Sequence, residues 1–143
     1  MFVFDTHNQR AIREQPMPSS KQRLQAFQRE VGGYITCLPH PKGSRAPFTA
    51  YANEEGMLQN LPSNFLAWGV LRHLGFIDST MGMGFYFGNV VLVGRNEQAL
   101  TDKAKKQVRE ALAKYLKEMG EEKEEQDDPA KETGDVSKEA QNE

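Results

Sequence analysis

The sequence predicts a single small α+β domain, built from a mixed or antiparallel sheet of about four or five strands with three helices and followed by a disordered acidic tail. Three short blocks that combine apolar residues with glycine, at 31–35, 51–56 and 87–94, indicate strands that begin or end at turns. Between the blocks, apolar residues recur at the spacing of amphipathic helices. A chain of 143 residues has room for one such domain and a tail.

The strands are predicted from short apolar runs bounded by turn residues. Phe2–Phe4 and residues 11–12 flank a polar stretch, which predicts an N-terminal hairpin. Residues 34–38, closed by proline, and residues 48–52 predict two further strands. The run at 87–93 is apolar almost throughout, which is typical of a strand buried on both faces and therefore central in its sheet.

The first helix is predicted to start at Ser19 or Ser20, either of which can cap it, and to continue to about Glu30. Gly32 follows, and glycine is the residue that most often ends a helix in the left-handed conformation. The apolar stripe of this helix consists of Leu24, Phe27 and Val31.

Two more helices are predicted downstream. Residues 62–64 open the second, with Ser63 or Asn64 as its cap, and it continues to about Leu74. Thr101 caps the last helix, which is expected over residues 102–119 with one apolar and one basic side.

Four glycines are predicted to have structural roles. Gly32 or Gly33 takes a positive φ where the first helix turns into a strand. Gly56 ends the Asn53–Gly56 turn with a positive φ, and residues 57–58 are expected to begin the return strand of a hairpin. Gly88 starts the last apolar block at a turn.

Charge divides the chain at about residue 119. Residues 120–143 contain ten Asp or Glu and three Lys, whereas residues 1–119 hold 15 Lys or Arg and 10 Asp or Glu. The segment 120–143 has almost no residue able to bury surface, so it is predicted to be disordered. The domain is therefore assigned to residues 1–119.

Composition also limits the cellular setting and the chemistry. No apolar run is long enough for a membrane span or a signal peptide, so a soluble intracellular protein without a membrane partner is expected. Cys37 is the one cysteine, and the three histidines are far apart in sequence, so no metal site and no cofactor are predicted. No motif for a catalytic residue is present, and an enzymatic role is not expected.

A first set of candidate residues could form a small-ligand or hydrolytic cleft. It consists of Asn53, Glu54, Asn64 and Asn89. Glu54 and Glu55 are the one pair of adjacent carboxylates in the domain, but adjacent residues in a turn or strand do not converge on one substrate atom. Asn64 is also explained as a helix cap, although the same helix N-terminus could hold an anion.

A second set could form a contact surface for a protein partner or a second copy. Phe65, Trp68 and Arg72 project from the second helix on the side away from its Leu66, Val70 and Leu74 stripe. Aromatic residues and arginine contribute most to interface energetics. A third hypothesis is weak nucleic-acid binding through the basic side of the last helix.

Four motifs in a fixed order resemble those of a known family, catalogued as a domain of unknown function (number 3846). They are 31–35 (VGGYI), 53–56 (NEEG), 61–64 (LPSN) followed by Ala67, and 88–94 (GNVVLVG), so the resemblance covers about residues 24–94 and leaves out the last helix. Thr36 stands where the family often has an acidic residue, and Asn89 where it often has Asp.

The resemblance implies an origin among phages, large DNA viruses of algae and some bacteria, because the family is met there. It implies no particular chemistry. The function predicted from the sequence is therefore a non-enzymatic interaction module, a viral or phage-type accessory protein that binds a host or viral macromolecule, in the host cytoplasm if the protein is viral.

Truncation after Met119 is expected to leave the thermal midpoint almost unchanged, because residues 120–143 cannot contribute a core. The same truncation changes the formal net charge from −2 to +5. Differential scanning calorimetry of both proteins at two salt concentrations measures this. A fall of the midpoint by several degrees at low salt would show instead that the acidic segment binds the folded domain.

Overall fold

The computed structural model describes residues 1–39, 46–76 and 86–127. Over these residues the chain forms an α+β fold with a five-stranded sheet and three α-helices, as predicted. The strands are β1 (Phe2–Phe4), β2 (Arg13–Glu14), β3 (Ile35–Cys37), β4 (Phe48–Asn53) and β5 (Val90–Gly94). The helices are α1 (Arg23–Val31), α2 (Phe65–His73) and α3 (Asp102–Asp127). Residues 1–112 form one compact unit, and a second begins at Ala113.

The sheet has the order β2-β1-β5-β4-β3, and each neighbouring pair is antiparallel. Every residue of β5 is buried, and the strand lies in the middle of the sheet, which confirms the prediction made from its apolar run. The predicted partner of β1 was residues 11–12, but the pairing uses Arg13 and Glu14, two residues later. The intervening turn is longer than expected because Asp5 accepts hydrogen bonds that fold residues 5–9 back on themselves.

The two faces of the sheet are covered by different helices. Phe27 and Val31 of α1 pack on the face that carries Val3, Val91 and Tyr51, and the Phe27 and Tyr51 rings stack 5.3 Å apart. The opposite face carries the alternate residues of the same strands. On that face the Arg109 guanidinium of α3 lies 5.8 Å from the centre of the Phe2 ring, and the Phe76 ring contacts Phe48. The core therefore has two layers, one on each side of the sheet.

Helix α1 differs from the prediction at its start. Its N-cap is Gln22, and Ser19 contributes a backbone carbonyl to the turn before it. Leu24, predicted on the apolar stripe, lies in the first turn of the helix and is 56% exposed, so Phe27 and Val31 alone bury this face. The helix ends as predicted at Gly32, whose φ is 80°.

The turn after β4 is not the hairpin that the sequence predicted. Residues 54–60 form a continuous turn, and Met57 and Leu58 belong to it. Gly56 does not take a positive φ, whereas Asn60 does. Gly56 is needed for a different reason, because a Cβ there would lie 2.9 Å from the carbonyl oxygen of Phe87. The chain therefore turns toward the segment before β5 instead of returning along β4.

Helices α2 and α3 begin as predicted. The Asn64 side chain caps α2, the Thr101 hydroxyl accepts from Ala104 N at 3.1 Å, and Gly75 follows α2 with a φ of 87°. Helix α3 continues to Asp127, beyond the predicted end at residue 119. Glu and Lys are good helix formers and no proline occurs between positions 102 and 128, which explains the longer helix. The remainder of the predicted tail, residues 128–143, lies outside the described residues.

Substitution of Gly33 by alanine is expected to destabilise the protein more than the same change at Gly32. At Gly32 a Cβ meets open space, so the cost is the backbone strain of a positive φ, about 1–2 kcal/mol. At Gly33 a Cβ would lie 2.9 Å from the Asn53 amide nitrogen and would disturb its hydrogen bonds. Urea unfolding of Gly33→Ala with and without Asn53→Ala tests this mechanism. Strict additivity of the two changes would contradict it, and Gly32→Ala with Asn53→Ala serves as the additive control.

Candidate functional site

The motifs singled out in the sequence gather at one end of the sheet. Tyr51 lies opposite Val91, so the end of β4 at Asn53 and the start of β5 after Asn89 are on the same side. Strand β1 also ends there, since Phe4 pairs with Val90. Backbone hydrogen bonds from Gly88 N to Pro62 O and from Asn64 N to Tyr86 O attach the start of α2 to the same place.

Asn64 is fully buried and its amide is used completely by the fold. The amide nitrogen donates to the carbonyl oxygens of Phe4 and Gly88, each at 2.9 Å. The amide oxygen accepts from Ala67 N at 3.0 Å and from the Gln9 side chain at 3.3 Å. This one side chain therefore joins β1, the segment before β5 and the first turn of α2.

The N-terminus of α2 has less room for an anion than the sequence suggested. The Gln9 side-chain oxygen accepts from Leu66 N at 2.8 Å, and Asn64 accepts from Ala67 N. Two of the backbone N–H groups that a helix start leaves free are thus already bonded within the chain. An anion at this helix end would have to compete with both amide oxygens.

Asn53 has a corresponding role at the end of β4. Its amide nitrogen donates to Val31 O at 3.1 Å and to the Gln59 side chain at 3.3 Å, and its oxygen accepts from Glu55 N at 2.7 Å. The side chain is buried and ties the end of α1 to the 54–60 turn. Both of its N–H donors and one acceptor position of its oxygen are therefore used within the fold.

Asn89, the third candidate asparagine, is half-buried and binds Thr6, just after β1. Its side-chain oxygen accepts from Thr6 N at 3.0 Å and from the Thr6 hydroxyl at 3.4 Å.

Nearby, hydrogen bonds from the His7 backbone and ring, together with the Arg13 guanidinium, hold the pKa of Asp5 below its usual range, against the opposing effect of burial. These bonds stabilise the carboxylate that organises the 5–9 turn.

The four candidate cleft residues do not share one orientation. Glu54 is exposed in the turn, whereas the three asparagine side chains point into the fold and bond mainly to backbone groups.

Two grooves within the described residues, of about 450 Å³ and 330 Å³, lie beside the segment between β2 and α1, and none of the four candidate residues lines either groove. Among the described residues, no three His, Cys, Asp or Glu side chains form a metal-binding group.

The predicted contact residues on α2 have different environments. Phe65 is 44% exposed, but Trp68 is half-buried and the Arg72 guanidinium lies 4.9 Å from the centre of its ring. The indole N–H of Trp68 is buried and finds no hydrogen-bond acceptor within the described part of the chain. Phe65 is thus the member of this set whose side chain is most open to contact.

Two exposed residues that the sequence analysis did not single out lie at the same end of the sheet. Met57 is 64% and Leu58 is 81% exposed, both within the 54–60 turn. We call Met57, Leu58 and Phe65 the end surface. The signal that could have identified Met57 and Leu58 is their position between Gly56 and the polar pair Gln59 and Asn60, which is typical of a turn tip.

A second group that sequence reasoning missed joins the middle of β4 to the segment that follows β5. The Tyr51 hydroxyl donates to the Glu97 carboxylate at 2.6 Å, and burial together with this bond raises the pKa of Tyr51 well above its usual value. Cys37, an exposed residue, pairs with Tyr51, and partial burial, then the Glu97 charge, raises the pKa of its thiol. The positive φ of Asn96 and Glu97 directs Glu97 back onto the sheet, which no local pattern predicts.

Asn64→Ala is expected to lower the free energy of unfolding by about 2–4 kcal/mol. It removes a helix cap, worth about 1 kcal/mol, and leaves the buried carbonyl oxygens of Phe4 and Gly88 without a donor. Asn64→Asp keeps the capping oxygen and loses the donor, so it separates the two contributions. Chemical denaturation measures both variants. A loss below about 0.5 kcal/mol for Asn64→Ala would contradict the central role of this side chain.

Comparison with known proteins identifies one family. The family described as a domain of unknown function (DUF3846) matches residues 2–118. The match is wider than the 24–94 region of the four motifs and includes β1 and most of α3. No curated protein and no solved structure matches the chain. Within the described residues, no helix is both long and apolar enough to cross a membrane. Because the match covers more than half of its length, the chain belongs to the DUF3846 family.

Proposed function

We propose that this protein is a non-enzymatic interaction module that binds a protein partner through the end surface. The observation that supports this most directly is the contrast at one end of the sheet. The buried polar side chains there are used by the fold, whereas Met57, Leu58 and Phe65 present apolar surface to solvent. Exposed apolar groups on a fixed framework are the usual material of protein interfaces.

The end surface has a defined geometry. Backbone hydrogen bonds from Gln59 N to Glu55 O, from Asn60 N to Met57 O and from Leu61 N to Gly56 O hold the turn closed. Asn53 holds it at one end through Glu55 N. A turn held in this way loses little conformational entropy on binding, which favours association.

The two other hypotheses have weaker support. A small-ligand or hydrolytic cleft would require Asn53, Asn64 and Asn89 to exchange intramolecular hydrogen bonds for ligand contacts. Nucleic-acid binding by the basic side of α3 would have to compete with Glu14, which Arg109 contacts at 2.6 Å and Lys105 at 3.1 Å. A viral or phage accessory role is part of our proposal and rests on where relatives of this family are met.

The experiment compares affinity capture by the full-length protein and matched variants, followed by calorimetric titration of the purified partner. Met57→Ser with Leu58→Ser should weaken binding at least ~30-fold, equivalent to about 2 kcal/mol, with an unchanged thermal midpoint because both side chains are exposed. Leu24→Ser is the matched control, since Leu24 is exposed on α1. Phe65→Ala and Trp68→Ala determine how far the surface extends along α2.

Retention of the partner by the double variant would exclude the end surface. Loss of binding by Trp68→Ala alone, with folding preserved, would move the contact surface to the Trp68 and Arg72 side of α2. Cleavage of a small substrate that depends on Glu54 would support the hydrolytic alternative.

A further inference from the structure

The two edges of the sheet are protected very differently. At the β2 edge, Arg13 contacts Glu30 at 2.9 Å and Asp5 at 3.1 Å, Glu14 contacts two basic side chains of α3, and Pro16 follows. Charges and proline are the common means by which natural edge strands avoid pairing with another chain. The β3 edge has none of these features within Ile35–Cys37. Its residues are uncharged and two of the three are β-branched.

The hydrogen-bonding groups that β3 presents outward can be identified from its pairing with β4. Glu54 N donates to Tyr34 O and Leu38 N donates to Ala50 O, each at 2.8 Å. Tyr34 and Leu38 therefore direct their backbone groups toward β4, as does Thr36 between them. In an antiparallel strand the direction alternates, so Ile35 and Cys37 direct N–H and C=O away from the sheet. In the described part of the chain these groups have no partner, since β3 is an edge strand.

The backbone groups that β3 directs outward form a short pairing frame of two residues, Ile35 and Cys37, because neither flanking residue can donate a hydrogen bond to another strand. On one side Gly33 N already donates to Gln28 O at 3.1 Å. On the other side Pro39 has no N–H. Only Ile35 and Cys37 offer both a donor and an acceptor. Any strand that adds to this edge must match this two-residue frame.

We propose that two copies of this chain pair through β3 in antiparallel orientation, about a twofold axis at Thr36. In this register Ile35 lies opposite Cys37 of the second copy, and every outward N–H and C=O of the frame is satisfied. A shift by two residues in either direction places Gly33 or Pro39 opposite a frame residue and loses a donor. The edge is therefore self-complementary in one register, as a symmetric dimer requires.

The side chains support a second copy as the occupant. Tyr34 is 71% exposed and lies on the same face of the strand as Thr36. In the proposed register Tyr34 lies opposite Leu38 of the second copy, whose side chain is buried in its own fold. The two Thr36 side chains meet across the axis, and no charged pair is brought together. Because only one short strand from each copy takes part, the dimer is weak and depends on concentration.

Cysteine cross-linking of the full-length protein tests the register. Thr36 residues that face each other have Cα atoms about 4.5 Å apart, within disulfide range, whereas the two Cys37 residues are diagonal neighbours at about 7–8 Å. Thr36→Cys in a Cys37→Ser background should therefore form a covalent dimer at least ~10-fold faster than the wild-type protein, with Ser20→Cys in the same background as the exposed control. Equal rates for all three proteins, or fastest dimerisation by wild-type Cys37, would overturn the proposal.

Two further measurements test the pairing of β3 without cross-linking. Sedimentation of the wild-type chain should show a mass that rises with concentration, and Thr36→Lys should abolish the rise while Ser20→Lys does not. Amide exchange at Ile35 and Cys37 should slow as the concentration rises, while the Thr36 amide, bonded to β4, changes little. A monomer at all concentrations with fast exchange at Ile35 and Cys37 would refute pairing. The end surface takes no part, so these results are independent of the proposed function.

Discussion

The side chain of Asn64 is the interaction on which the arrangement of this protein depends. Strand β1, the segment before β5 and helix α2 come from distant parts of the sequence, and each has backbone groups that would be unsatisfied in the interior. The Asn64 amide bonds to Phe4, Gly88 and Ala67 with both its donor and its acceptor sides. An amide is suited to this position because it offers two donors and an acceptor without charge. Asn53 repeats the arrangement at the end of β4, where it joins α1 to the following turn.

This use of asparagine has consequences for chemistry. The asparagine side chains of the sequence motifs form hydrogen bonds within the fold. The motifs therefore carry information about the topology of the chain. Glu54 and Glu55 remain exposed in a turn, and adjacent carboxylates there do not face each other. Among the described residues at this end of the sheet, Met57 and Leu58 lie between the motifs and leave large apolar side chains exposed. This distribution is the basis of the proposed interaction role.

Sequence patterns predicted the elements with strong local signals and missed those that depend on distant contacts. The apolar run of β5, the glycine at 32 and the caps at Asn64 and Thr101 are local features, and the structure has them as predicted. The role of Gly56 could not be predicted, because it depends on the approach of Phe87 to 2.9 Å of a Cβ at that position. Helical periodicity could not predict that Leu24 is exposed. The change of charge at residue 119 could not predict that α3 continues beyond it. The ligand-site hypothesis assumed that the asparagine side chains are free to bind a ligand. In the structure these side chains form hydrogen bonds with distant parts of the chain.

The same buried constraints fix the geometry of the exposed turn that carries the proposed interaction surface. Residues 54–60 lack the pairing of a hairpin, so their geometry must come from elsewhere. Asn53 bonds to Glu55 N at one end, Gly56 lies against the Phe87 backbone, and Leu61 N returns to Gly56 O. The turn is thus anchored to α1, β4 and the segment before β5, while its tip carries two large apolar side chains into solvent. If these apolar side chains lay on a mobile loop, the free energy gained by burying them in an interface would be offset by the entropy lost when the loop becomes ordered. In a turn anchored at both ends, most of that entropy is already lost during folding.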